Sequence, residues 1–193
     1  MVTVYSGMSY TLVFISAFTL VTAYNYQQVT NCKNVTGDPL FPYFLNFNGD
    51  FVRATSNEDE ARTDRCVNIW RNVFYVTRTD DSRTLYKFKF IRTYNENNVY
   101  EEIGPDGKSY KFAVLQEFRE DCANMYLVYR CSDEITDCSG IPHVKLHTTG
   151  NQFLSEKCIA DAEAYIKEAL GETVKLYLLE NARCIPAKDF CNA

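Results

Sequence analysis

Short segments rich in β-branched and aromatic residues follow one another through the middle of this 193-residue chain. Short polar links separate them, and this texture is typical of antiparallel β-strands. Two of the links, "TDDS" at 79–82 and "GPDGK" at 104–108, carry the Asp, Pro and Gly residues that hairpin turns favour. The predicted strands are 50–55, 66–79, 83–94, 98–103, 108–118, 123–131 and 143–149.

Alternation within these segments places apolar side chains on one face of each strand. Three such faces are Tyr86, Phe88, Phe90, Arg92 and Tyr94; then Tyr110, Phe112, Val114 and Phe118; then Met125, Leu127 and Tyr129. Consecutive hairpins of this kind must pack on a second sheet or curl until the sheet closes on itself.

One amphipathic helix is predicted after these strands, over about 155–170. Ser155 is placed to cap its start and Gly171 its end, while Ile159, Ala162 and Ile166 repeat at helical spacing. Strand texture returns over 172–180. The order predicts an all-β fold, an eight-stranded antiparallel up-and-down barrel of the lipocalin kind with one C-terminal helix packed outside. The interior of such a barrel holds packed side chains or one small ligand.

Eight cysteines follow an apolar run at 11–21 that is too short to span a bilayer. With the small residues before position 24, this run predicts a signal peptide over 1–23, then an N-terminal extension over 24–48 and a barrel domain over 49–193. No Lys or Arg precedes the run, which leaves an N-terminal core strand as the alternative. An even number of cysteines after a secretory signal predicts a disulfide framework in an extracellular protein, and the sequon at Asn34 predicts a glycan.

Charge and histidine content argue against several classes of function. The net charge of −5, with both signs mixed along the chain, disfavours nucleic acid and anionic membranes as partners. His143 and His147 are the only histidines, and a strand would set them about 13 Å apart. We therefore expect no metal site, no cofactor and no catalytic residue, and we interpret the mixed charge run at 60–65 as a solvated loop.

Four stretches, "GDFVRATSNEDEARTDRCV" (49–67), "NNVYEEIGPDGKSYKF" (97–112), "REDCANMYLVY" (119–129) and "FLSEKCIADAEAYI" (153–166), together resemble the tick salivary lipocalins, the histamine-binding-protein family. The likeness covers about 43–184. It implies a secreted salivary protein, expected to be a monomer, that sequesters a small host mediator and dampens host inflammation and defence without catalysis.

The resemblance also implies part of the disulfide pairing. In that family the cysteine that opens the late strand pairs with one at the helix start, here Cys122 with Cys158. The second-strand cysteine pairs near the C-terminus, here Cys66 with Cys184 or Cys191. A local Cys131–Cys138 loop would then leave Cys32 for the remaining C-terminal cysteine, although eight cysteines allow 105 pairings.

The kind of ligand is predicted from two positions. Amine-binding members of the family carry an acidic residue after the late-strand cysteine and a Glu in the next strand, because a buried ammonium needs a carboxylate. Here these positions are Ala123 and Lys145. Unless Asp121 and the Glu101–Glu102 pair substitute, a fatty acid or eicosanoid is favoured over a biogenic amine.

Candidate donors for a ligand carboxylate are Arg53, Arg92, Arg130 and Lys145. Arg92 is the strongest candidate because it lies on the same predicted strand face as Phe90 and Tyr94. In the alternative interpretation, its side chain lies in solvent at the mouth of the barrel. The predicted ligand-binding residues are Phe88, Phe90, Arg92, Tyr100, Tyr110, Phe112 and Lys145. The alternative function is a disulfide-hardened barrel that binds a host protein, such as a complement or clotting factor, through its loops.

Overall fold

The computed structural model describes residues 32–39, 48–70, 73–87, 89–91, 97–103, 107–118, 122, 124–132, 140–149 and 153–180. Two helices lie within these ranges, α1 (Glu58–Thr63) and α2 (Glu156–Leu170). The strands in the same ranges are β1 (Asn48–Thr55), β2 (Asp64–Trp70), β3 (Val73–Arg78), β4 (Arg83–Lys87), β5 (Lys89–Ile91), β6 (Tyr100–Ile103), β7 (Ser109–Phe118), β8 (Met125–Cys131), β9 (His143–Thr149) and β10 (Tyr177–Leu178).

All the strands join one antiparallel sheet in the order β4-β3-β2-β1-β9-β8-β7-β6-β5, and β10 pairs with β1. The two ends of this order, β4 and β5, are separated in the chain by Phe88 alone. One segment thus pairs with β3 through its first part and with β6 through its second. Among the described residues, no backbone hydrogen bonds pair the edge strand β4 with the edge strand β5. The two edges are connected by the chain itself, which runs directly from β4 into β5. Counting β4 and β5 as one strand gives the predicted eight-stranded up-and-down meander, and the fold class is confirmed.

Helix α2 covers one face of the sheet with residues four apart, Cys158, Ala162, Ile166 and Leu170, all buried. These side chains form one apolar cluster, here called the outer cluster, with sheet residues Ala54, Ala113, Leu115, Met125, Leu127, Tyr129, Val144 and Leu146. Tyr165 ties the helix to the sheet by donating a hydrogen bond of 3.1 Å to the carbonyl of Leu115.

The opposite face of the sheet carries a second apolar cluster, here called the inner cluster: Val52, Val67, Ile69, Val76, Tyr100, Phe112, Val114, Tyr126 and Leu179. Alternation along β8 separates the two, since Tyr126 is inner while Met125, Leu127 and Tyr129 are outer. Met125, Leu127 and Tyr129, which alternation groups as an apolar face like those of Tyr110 and Phe112, therefore lie on the opposite side of the sheet from Phe112. They pack under α2, because β8 is apolar on both faces.

Both ends of α2 follow the prediction. The Ser155 side chain accepts from the Cys158 N–H at 3.3 Å, and Gly171 takes the left-handed conformation (φ 73°) while its N–H bonds to Lys167. The interpretation of 60–65 as a solvated loop was wrong, because α1 ends at Thr63 and β2 starts at Asp64. The Asn57 side chain caps α1, and acidic residues in its first turn favour the positive end of the helix dipole.

Two disulfides are described. Cys122 pairs with Cys158 at a Cα distance of 5.6 Å, as the resemblance implies, and Cys32 pairs with Cys131 at 4.9 Å. The expected pairings of Cys131 with Cys138 and of Cys32 with a C-terminal cysteine are therefore wrong. Cys66 is also disulfide-bonded, and its expected partners Cys184 and Cys191 lie outside the described residues.

The Cys32 pairing follows from the course of 32–39, which runs beside the end of β8. The Lys33 N–H donates to the Tyr129 hydroxyl at 3.2 Å, and the Lys33 ammonium donates to the last carbonyl of α2, Leu170, at 3.0 Å. Gly37 approaches Asn98 so closely that a Cβ there would meet the Asn98 carbonyl oxygen at 2.5 Å. Within the described ranges, neither helix has the length and hydropathy needed to cross a bilayer.

Candidate ligand-binding site

Aromatic side chains from neighbouring strands meet on the inner face of the sheet. Tyr100 on β6 is the register partner of Phe112 on β7, and their rings stack with centroids 5.3 Å apart and planes 24° apart. Both side chains are almost fully buried. Such offset pairs add about 0.5–1.5 kcal/mol beyond the apolar area they bury. Tyr110, two residues before Phe112 on the same strand, is also buried. The structure thus brings together three of the predicted ligand-binding residues.

A buried ion pair lies next to these rings. The Arg130 Nε donates to the Glu102 carboxylate, and the Arg130 guanidinium lies over the Tyr110 ring, 4.0 Å from its centroid. Glu102 is 3% exposed, and burying a carboxylate without a paired cation would be strongly destabilising. The sequence suggests Arg130 as a donor to a ligand carboxylate, but in the structure its guanidinium donates to the Glu102 carboxylate.

A second group of buried polar residues, here called the Glu60 cluster, consists of Glu60, Thr55, His143 and Lys145. The Lys145 Nζ donates to Glu60 Oε1 at 3.1 Å, and the Thr55 hydroxyl donates to Glu60 Oε2 at 2.8 Å. The His143 Nε2 lies 3.5 Å from Glu60 Oε1, too far for a strong hydrogen bond. Three elements therefore converge on one carboxylate: α1 supplies it, and β1 and β9 hold it.

Burial shifts the protonation of residues around this cluster. It raises the pKa of Asp64 to about 6, and the opposing charge of Lys145 offsets only part of that effect. The Asp64 Oδ2 is buried without a hydrogen-bond partner. Burial also lowers the pKa of His147 to about 3 and lowers the pKa of His143, where Glu60 acts in the opposite direction. Both histidines are therefore neutral at physiological pH.

The other residues that the sequence predicts for the site differ in their surroundings, and some lie outside the described residues. Lys145 lies on the inner face, because Val144 and Leu146 on either side of it are outer, and its partner is Glu60. Arg53, weighed as another donor, is buried and donates from Nε to the Thr148 hydroxyl at 3.0 Å. Phe88 and Arg92 lie outside the described residues, and only the backbone of Phe90 is described, in β5.

Glu60 is the site residue that sequence reasoning missed. A signal was present, because Asn57-Glu58-Asp59-Glu60 has the cap residue and the Glu three positions later that begin many helices. That pattern predicts a helix start, but it does not predict that the Glu side chain turns inward.

Metal binding has no support among the side chains that the structure describes. No three His, Cys, Asp or Glu side chains gather there as ligands. His143 and His147 both lie buried on β9, where the ring of His147 packs against Tyr126 with centroids 5.1 Å apart.

An antiparallel meander that returns on itself, with one C-terminal helix outside and a buried aromatic face inside, is the architecture of the lipocalins, and this chain has the lipocalin fold. Apocrustacyanin C1 is similar in structure, with a TM-score of 0.56 and 13% identity over 86% of this chain and 98% of that one. Lobster apocrustacyanin A1 gives a TM-score of 0.50 and 14% identity over 78% of this chain and 89% of that one. At these identities the likeness shows the fold alone.

A mutant of LTBP1 in complex with leukotriene C4 has a TM-score of 0.45 and 17% identity, over 78% of this chain and 98% of that one. That score is too low to carry an argument about this chain. No protein-family model matches the sequence, and no curated protein matches it.

Proposed function

We propose that this chain is a secreted, non-catalytic lipocalin that binds one small amphiphilic molecule, of the fatty-acid or eicosanoid type, inside its barrel. One observation carries the proposal: a buried cation, Lys145, lies at the border of the aromatic and aliphatic inner cluster. The Lys145 Nζ is 5.9 Å from the centroid of the Phe74 ring, and Phe74 packs against that cluster.

The inner cluster supports an apolar ligand body. Tyr100, Phe112 and Tyr126 present rings from three consecutive strands of the meander. Small-molecule sites are lined mostly by hydrophobic and aromatic side chains with a few polar groups that fix orientation. The interior of a barrel of about eight strands holds either packed side chains or one small molecule of this kind.

The charges of the interior favour an acid over an amine. Glu60 and Glu102 each already pair with a cation, so an amine that bound to either would have to displace Lys145 of β9 or Arg130 of β8. Near Asp64 the charges have both signs: Lys145 and Arg78 oppose a further cation while Glu60 favours one, and Lys145 acts most strongly.

The sequence likeness to tick salivary lipocalins supports the narrower proposal that the ligand is a mediator of host inflammation and that the protein acts in saliva. The disulfides favour an extracellular protein, since such bonds persist in oxidising compartments. We propose Asn34, which is exposed, as the glycosylated residue.

Titration of secreted protein with a fluorescent polyene fatty acid tests this proposal. We expect saturable binding, weakened about threefold to tenfold by Phe112→Leu, which removes the ring stack and keeps an apolar side chain. The control Leu85→Ala changes an exposed residue of β4 and should leave the affinity unchanged.

Two results would contradict the proposal. One is submicromolar binding of histamine or serotonin without binding of the fatty acid. The other is absence of any small-molecule binding together with a bare mass in native mass spectrometry, which would favour a barrel that binds a host protein.

A further inference from the structure

We propose that the Glu60 carboxylate and the carboxylate of a bound amphiphile compete for the same position next to Lys145. Glu60 occupies that position in the ligand-free protein, and the ligand occupies it in the complex. This inference rests on the proposed function and names the group that the ligand must displace. It makes Lys145 the residue that selects acids and Glu60 the residue that limits how tightly they bind.

Glu60 differs from its neighbours on α1. The helix has six residues and carries three acidic residues in its first turn, of which Glu58 and Asp59 are exposed while Glu60 is buried. The exposed pair suffices to favour the helix N-terminus, where negative charge is stabilising. The burial of Glu60 is therefore not needed to form α1.

The contacts of the Glu60 carboxylate are those that a ligand acid would need. One oxygen accepts from an ammonium, Lys145 Nζ at 3.1 Å, and the other accepts from a hydroxyl, Thr55 Oγ1 at 2.8 Å. Both donors belong to strands of the barrel wall, β9 and β1. A carboxylate arriving from the interior would find the same two donors already in position.

The two partners of the ion pair differ in how firmly they are held. The backbone of Lys145 pairs with Val128 on β8 and with Thr55 on β1, at the centre of the sheet. Glu60 lies on a short helix whose own packing is against β1, β2 and β10. Of the two, Glu60 is the partner that can leave.

Exchange of one carboxylate for another keeps Lys145 neutralised throughout. Leaving a buried charge unpaired is strongly destabilising, so a ligand that supplies no anion has nothing with which to replace Glu60. A ligand acid, in contrast, restores the pair. The cost of displacing Glu60 lowers the affinity of the native protein for acids, and removal of the Glu60 charge should raise it.

The test compares Glu60→Gln with the matched control Glu58→Gln, which removes the same charge from the exposed side of the same helix. The probes are a fluorescent polyene fatty acid and its methyl ester, which lacks the charge. We expect Glu60→Gln to bind the acid about tenfold more tightly than the native protein and the ester with unchanged affinity. Glu58→Gln should match the native protein for both probes.

Two further variants keep the test decisive if Glu60→Gln folds poorly. Thr55→Val removes the hydroxyl that holds Glu60 Oε2 and should raise the affinity for the acid by a smaller factor. The double variant Glu60→Gln with Lys145→Met removes both charges of the pair and should lose the preference for acid over ester.

Equal changes for acid and ester, or unchanged acid affinity in both Glu60→Gln and Thr55→Val, would overturn the inference. Failure of the native protein to bind either probe would instead refute the proposed function. The two failures are thus distinguishable.

Discussion

The two faces of the sheet bury their residues in different ways. The outer face joins α2 to the sheet through apolar side chains, with the Cys122–Cys158 bond within that cluster. The inner face combines an apolar cluster with buried charged residues such as Glu60, Lys145 and Asp64. Hydrophobic burial and covalent bonds do not depend on protonation, whereas buried charges do. The outer face should therefore set the overall stability, and the inner face its dependence on pH.

The largest effect is expected from removing the bond between the N-terminal segment and β8. The cysteines are 99 positions apart, and opening a loop of that length costs about 4 to 5 kcal/mol in the chain-entropy account. The double variant Cys32→Ser with Cys131→Ser should lose that much free energy of unfolding in chemical denaturation. The loss should be the same at pH 5 and pH 7.5, and a strongly pH-dependent loss would contradict the contrast between the faces.

A core truncation under α2 should have the next largest effect. Ile166 is fully buried between helix and sheet, and Ile166→Ala should cost about 3 kcal/mol in the free energy of unfolding. Glu168→Ala, on the exposed side of the same helix, should change it by less than about 0.5 kcal/mol. Similar losses in the two variants would mean that α2 does not pack as described.

On the inner face, Asp64 should reduce stability as the pH rises. Its pKa is about 6 in the fold against about 3.8 unfolded, so between these values the folded state holds the proton more tightly and stability falls with increasing pH. Asp64→Asn should remove a loss of about 2 to 3 kcal/mol at pH 7 and change little at pH 4. Urea unfolding over that pH range measures the difference, and parallel curves would refute the raised pKa.

His147 should act in the opposite direction. Its pKa falls from 6.5 to about 3 on folding, so the unfolded chain takes up the proton first and stability falls as the pH drops below about 6.5. His147→Phe keeps a ring against Tyr126 and should recover about 2 kcal/mol at pH 5 relative to pH 7.5. If the native protein and the variant lose stability equally on acidification, His147 is not the cause.

Much of the fold is readable from local patterns. Ser155 and Gly171 mark the ends of α2 because capping is local chemistry, and alternation identifies the strands because the side-chain period of a strand is two. The side of the sheet that each strand face occupies is not local. In β8 the residues Met125, Tyr126 and Leu127 are all buried, so hydrophobicity alone does not tell inner from outer.

The candidate site was predicted less fully, for the same reason. Tyr110 and Phe112 follow from aromatic alternation, but the burial of Glu60 depends on its contact with Lys145, which is 85 positions away. A charged residue in a polar run is usually solvated, and only the tertiary fold shows that this one turns inward. The Cys131 pairing was wrong for a related reason, because proximity in sequence favoured Cys138 over the distant Cys32.

In the proposed exchange, the carboxylate that competes with the ligand lies on α1 and not on a strand. Under that proposal, substitutions in 57–63 adjust the affinity for acids while the strands of the wall stay unchanged. Relatives with the same barrel would then differ in how tightly they hold acidic ligands through that short connection, without repacking either cluster.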